Sequence, residues 1–300
     1  MAQAYPARPV KMVVTFAAGQ SIDILARLIG QSLSDRLGQQ FVVENRPGAG
    51  GNIGTEAVVR SPADGYTLLV IGANNAINTT LYDKLNFNFL RDIVPVAGIY
   101  SVRQVMVVNP SFPARTVAEF IAYAKANPGK VNFASAGNGS VAHATGELFK
   151  MMTGAEMLHV PYRGASPAMQ AVIANEVNLY LAGWGVGKGL VESGRVRALA
   201  VASRERIPNI PLPTAIESGV PDYVASNWWG LAAPLGTPQP VVDKVYKAVA
   251  AALAEPAMVR RLDELGFVPV GDAPPKFAED AKTEAKLWAE TISRGRLAID

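Results

Sequence analysis

Two stretches of this chain put small hydrogen-bonding residues directly in front of a helical pattern. The first is Phe16-Ala17-Ala18-Gly19-Gln20-Ser21-Ile22-Asp23, which follows a β-branched run. The second is Ser135-Ala136-Gly137-Asn138-Gly139-Ser140, with His143 one turn further on. A helix N-terminus leaves its first N–H groups unpaired and carries the positive end of the helix dipole, so the chemistry on offer is anion binding. In the first loop Gly19 lets backbone approach a ligand closely, Ser21 can cap the helix or donate its hydroxyl, and Asp23 complements the dipole. Taken alone, that segment reads as an ordinary capped turn. The second loop is richer in neutral donors and can hold a carboxylate without a buried cation. Each hydrogen bond to a charged group contributes roughly 1.5–3 kcal/mol, so here the ligand reading leads.

Other chemistry is thinly represented. Gly48-Ala49-Gly50-Gly51-Asn52-Ile53-Gly54 has Ile53 where a dinucleotide fingerprint needs its third glycine, so tight strand-to-helix packing is the better reading. No Gly-Lys-Ser/Thr follows the first loop's glycine, which argues against a phosphate loop. With no cysteine and only two histidines, His143 and His159, there is no thiol chemistry and no metal-ligand spacing. Ser140 and His143 lie within one helical turn, poor geometry for a nucleophile and its base. No catalytic residue, metal or cofactor is therefore expected. Trp184, in Leu181-Ala182-Gly183-Trp184-Gly185, either walls a pocket at a strand's end or packs between domains. Trp228 and Trp229 lie in a strand pattern whose alternation sends one ring to each face.

The elements that must position these loops alternate between strand and helix. Hydrophobic residues make up 49% and charged ones 18% of the 300, which describes a globular chain rather than a disordered one. Net charge is +3 and the basic residues are scattered, so no nucleic-acid stripe exists. No apolar run approaches a membrane span. Strands are predicted over 10–16, 41–44, 66–71, 105–108, 131–134, 177–181, 196–202, 225–232 and 267–270. Helices are predicted over 21–37, 55–60, 117–127, 141–153, from Ser166-Pro167 (Ser as N-cap), 240–253, 256–265 and 275–293. Gly72–Asn78 reads as a polar loop. The pattern implies α/β architecture with mainly parallel sheets. The chain leaves one α/β domain (1–103 plus 225–300), builds another (104–224) and returns, so its two crossover segments would form a hinge with a ligand cleft.

At these same residues the sequence resembles the extracytoplasmic solute receptors of tripartite tricarboxylate transporters, the Bug-type receptors. The resemblance covers nearly the whole chain. It is carried by Phe16–Arg27, Val43–Gly51, Ser61–Leu69, Ala76-Ile77-Asn78 with Leu81-Tyr82, Ser135–Ser140 with His143, His159-Val160-Pro161-Tyr162, and Arg197–Val201. It implies a two-lobed periplasmic-binding-protein fold of type II-like form. It further implies a ligand carboxylate gripped between the two strand-to-helix loops, often partly through water, and delivery to membrane permease subunits with no chemistry performed. The ligand-binding residues it implies are Phe16, Ala18, Gly19, Gln20, Ser21, Asp23, Asn75, Ser135, Ala136, Gly137, Asn138, Ser140, His143, Ala182 and Trp184.

Departures from the family pattern bear on the ligand. Gln20 and Ile22 replace a Gly and a Thr of the first loop, and Asn75 stands where many members carry His. Ala182 stands where an Asp is common. Losing that acid argues against an amino-acid ligand, because a buried ammonium needs a polar partner. The expectation is a receptor for a di-/tricarboxylate or aromatic acid, monomeric and periplasmic, with Ala2-Gln3-Ala4 as the scar of a removed signal peptide. Two other classes stay open: an enzyme on a carboxylate with His143 or Asp23 as general base, and a ligand sensor feeding a signalling partner.

Overall fold

The computed structural model describes residues 5–82, 84–207, 210–265 and 267–295. Ala2-Gln3-Ala4 lies outside the described residues, as does the side chain of Ser21. In chain order the elements begin with β1 (Val10–Val14), α1 (Ser21–Leu37), β2 (Phe41–Asn45), α2 (Asn52–Val59), β3 (Thr67–Gly72), α3 (Ala73–Leu81), α4 (Phe89–Asp92) and the long β4 (Ile93–Val108). Then come α5 (Val117–Ala126), β5 (Asn132–Ser135), α6 (Val141–Thr153), β6 (Leu158–Pro161), α7 (Ala165–Ile173), β7 (Leu179–Gly183), α8 (Trp184–Glu192) and β8 (Arg197–Val201). The chain closes with β9 (Ser226–Pro234), α9 (Gln239–Leu253), α10 (Pro256–Glu264), β10 (Val268–Pro269) and α11 (Pro274–Gly295).

These elements form two compact units. One comprises Met1–Ser101, Trp228–Asp263 and Val268–Trp288; the other comprises Val102–Asn227, Glu264–Phe267 and Ala289–Asp300. Strands β4 and β9 each carry the chain from one unit into the other.

In the first unit β1 is the centre, parallel to β2 on one side and to β3 on the other, and β3 pairs antiparallel with β9. A strand covered on both faces reads as a near-continuous apolar run, and in β1 all but Lys11 are buried. Helix α1 follows because Ile22, Leu25, Ala26, Ile29 and Leu33 recur at helical spacing and are all buried. Gly38 stops it in the left-handed conformation that glycine tolerates, at φ 71°.

In the second unit β4 lies between β7 and β8, antiparallel to both, while β5 is parallel to β6 and β7. Its apolar cluster draws on Val105, Val107, Ala134, Val172, Tyr180 and Trp184 among others.

Some expectations need correction. The segment 72–78 is not a loop: Ala73–Leu81 is a helix whose Asn residues turn their polar groups to neighbouring backbone and side chains. Trp184–Glu192 is a helix that its three glycines concealed, anchored by the buried Trp184. Helix α7 is capped at Gly164, at φ 122°, and not at Ser166. Helix α1 has Gln20, not Ser21, at its N-cap, with no side-chain cap bond. Strand β4 begins at Ile93, far upstream of Val105.

Candidate functional site

The first loop leaves β1 at the C-terminal edge of a parallel strand, where open α/β sheets bind ligands. Ala18, Gly19 and Gln20 are exposed and Phe16 is half-buried. The loop is held from beneath by Asp23. Its carboxylate accepts the Gly19 N–H at 2.9 Å, Arg27 Nε at 3.0 Å and Asn45 Nδ2 at 2.9 Å. Asn45 Nδ2 also donates to the Phe16 carbonyl at 3.0 Å. Burial alone would raise the Asp23 carboxyl, but hydrogen bonds from Arg27, Gly19 and Asn45 outweigh it and hold it below the usual range. The Gly19 N–H is thus spent on Asp23, which positions the loop rather than facing a ligand. Phe16 meets the edge of Trp229, with ring centroids 5.7 Å apart at 86°. Trp229 in turn lies where a side chain at Gly72 would stand, 2.4 Å from an added Cβ.

The second loop leaves β5 and enters α6. Ser140 is the N-cap, its Oγ accepting the His143 N–H at 3.3 Å. A serine hydroxyl used as acceptor still has its own proton to donate. The first i→i−4 bond of this helix runs from the Ala144 N–H to the Ser140 carbonyl, so the N–H groups at the opening turn lie outside that ladder. Within the loop, Ser135 Oγ contacts the N–H and the carbonyl of Gly137, at 3.1 and 3.0 Å. The Gly139 N–H donates to His143 Nδ1 at 3.2 Å. Ala136 is half-buried and Asn138 exposed, whereas Ser135 is 0% exposed.

Ser135 Oγ also lies 2.6 Å from His159 Nε2, a distance suited to a nucleophile and its base. Complete burial of the serine makes the pair a structural fastening instead. Burial pushes His143 down to about 3, helped by His159 and Lys150, and His159 down to about 4, helped by Lys150. Both rings are neutral over the physiological range.

The remaining candidates face inward. Asn75 accepts the Gly72 N–H at 2.9 Å through Oδ1 and donates to Thr55 Oγ1 at 2.9 Å through Nδ2, so it builds the start of α3. Ala182 and Trp184 belong to the apolar cluster of the second unit, and Trp184 is 7% exposed. Its indole packs among the apolar residues of that cluster. No group of three or more His, Cys, Asp or Glu suited to a metal occurs among the described residues.

Residues 25–299 match the family model described as the tripartite tricarboxylate transporter family receptor. This chain belongs to that family. It is 37% identical over 294 residues to Protein BugT of Bordetella pertussis, covering 97% of this chain and 90% of that one. Among solved structures it resembles R. palustris Rpa4515 with adipate, at 35% identity and TM-score 0.87, covering 98% of this chain and 99% of that one. It also resembles MatC from Rhodopseudomonas palustris with bound malate, at 33% identity and TM-score 0.84, covering 96% and 100%. The fold is that of the periplasmic solute-binding proteins, and the family is one of solute receptors. No helix among the described residues is long and apolar enough to cross a membrane.

Several residues that shape this family receptor's loops escaped the sequence reading. Arg27 and Asn45 complete the Asp23 network, Trp229 backs Phe16, and His159 fastens Ser135. Arg27, Asn45 and His159 had a visible signal, as members of the Phe16–Arg27, Val43–Gly51 and His159–Tyr162 strings, and Trp229 as half of an aromatic pair in a strand pattern.

Proposed function

We propose that the protein is an extracytoplasmic solute receptor for a small organic carboxylate, held by both strand-to-helix loops. It passes this ligand to a tripartite tricarboxylate-type membrane transporter and works as a periplasmic monomer. The observation that supports this best is the opening turn of α6. There Ser140 has a proton to donate and N–H groups stand outside the helical ladder. The adipate and malate held by two family relatives point to the same ligand class.

Catalysis has little support. Asp23 is ion-paired to Arg27 at 2.9 Å and held low, while His143 is held at about 3, so neither is a base poised for proton abstraction near neutrality.

A thermal-shift screen over adipate, malate, citrate and benzoate tests the reading. A ligand at one hundred times its Kd adds about 2.7 kcal/mol to stability, a shift of several degrees. At least one acid should raise the melting temperature and be recovered chemically unchanged. If none shifts it, or if the acid is turned over, the receptor reading fails.

A further inference from the structure

The two histidines of this chain form a single face-to-face pile. The His143 and His159 rings lie 3.8 Å apart, centroid to centroid, at 10°. Phe133 also stacks on His159, at 5.0 Å and 29°. Phe133 itself rests on helix α6 at Gly146, where an added Cβ would fall 2.2 Å from the ring. Phe133 is therefore seated on a helix glycine, and His143 stands beside the loop.

Each imidazole reaches one side of that loop. His159 Nε2 is 2.6 Å from Ser135 Oγ, and Ser135 Oγ holds both backbone polar groups of Gly137. His143 Nδ1 accepts the Gly139 N–H. A nitrogen that accepts an N–H has no proton of its own, so His143 must be the Nε2–H tautomer.

We propose that His143 and His159 are positioning residues that act as a neutral clamp, fixing the 135–140 loop in the shape that receives ligand. This rests on the carboxylate-receptor reading of the loop. Protonating His143 at Nδ1 turns an acceptor into a donor facing the Gly139 N–H, and places a cation against its stacked partner. The charged groups facing the pair come from α6: Lys150 raises the cost of charging either ring, and its ammonium is paired with Glu147 at 2.8 Å. Strand β5 contributes only the uncharged Phe133 and Ser135. Burial is the larger obstacle to charging either ring. The clamp therefore loosens in acid and holds near neutrality.

Because the chain has only two histidines, its imidazole nitrogen spectrum reports this pile alone. On the ligand-free protein, ¹H–¹⁵N long-range spectra should give His143 as the Nε2–H tautomer. The Gly137 and Gly139 amide signals should move together with the ring titration. An Nδ1–H tautomer for His143, or glycine amides blind to that titration, would overturn the clamp.

Variants supply the second arm, with adipate and malate as probes. His159→Phe keeps the stacking and loses the Ser135 bond; His143→Leu loses the Gly139 acceptor. Each should weaken binding about tenfold, the scale of one lost hydrogen bond. His159→Gln and His143→Asn restore a polar atom near the same place and should recover most of that loss. Wild-type affinity in His159→Phe and His143→Leu overturns the clamp. If neither probe binds the natural protein, the ligand assignment is what fails, and the spectra alone decide the clamp.

Discussion

Asp23 places a carboxylate in the first turn of a helix whose entrance is proposed to receive another carboxylate. Its charge is balanced on the spot by Arg27, and its oxygens are filled by Gly19, Arg27 and Asn45. What reaches the loop surface is its consequence, a fixed backbone path through Gly19. Asp23→Ala leaves the Gly19 N–H without its acceptor and Arg27 without its ion-pair partner, at a cost of about 1–3 kcal/mol in urea unfolding. Ligand affinity should fall with it, since the loop is no longer held. Affinity unchanged in a destabilised variant would separate Asp23 from the site. Trp184→Ala reads oppositely: a truncated core aromatic costs about 3–5 kcal/mol, and should weaken all acids of the panel alike because the ring packs in the apolar cluster.

At the scale of elements, the loops owe their form to glycines that act for different reasons. Gly19 has φ 83° and nothing within 4 Å of an added Cβ, so its demand is purely conformational. Gly72 is the reverse: φ is −153°, open to any residue, but an added Cβ would meet Trp229 at 2.4 Å. Gly72→Ala should therefore cost about 1–3 kcal/mol by overpacking, and a denaturant melt would show it. Trp229→Leu should relieve that cost in the double variant, whereas it cannot rescue Gly19→Ala. Ser140→Ala should remove about 1 kcal/mol of capping and also weaken ligand binding, which calorimetry separates from the melt.

The same contrasts explain what could be read beforehand. Helices α1 and α6 were legible because apolar spacing, first-turn residues and a closing glycine agree in one stretch. Helix α3 was not, because Asn74, Asn75 and Asn78 look like loop residues until their amides are seen meeting Gly50, Gly72 and Thr55. Helix α8 was hidden by glycines whose weak propensity is overridden by the packing of Trp184. The loops of the site were visible as composition. Their fastenings were not, since Asp23–Asn45 and Ser135–His159 are contacts between residues distant in sequence.

At the scale of the molecule, these fastenings set how stability depends on pH. An unfolded histidine titrates near its ordinary 6.5, while the folded values are about 3 for His143 and about 4 for His159. Between those limits the unfolded chain binds more protons, so stability rises with pH up to about 6.5 and levels off above it. Asp23 and Glu44 act lower down: both carboxyls are held below their ordinary 3.8 and 4.5, Glu44 chiefly by its bonds to Lys11 and Arg46. Their contribution is present above those ordinary values and is lost as pH falls through the lowered ones. Melting temperature measured across pH should therefore fall in two stages on acidification, an imidazole stage and then a carboxylate stage. In the double variant His143→Asn with His159→Gln the first stage should vanish and the second remain. A first stage that survives both substitutions must come from carboxylates, and the neutral pile would then hold no part of the acid sensitivity of this fold.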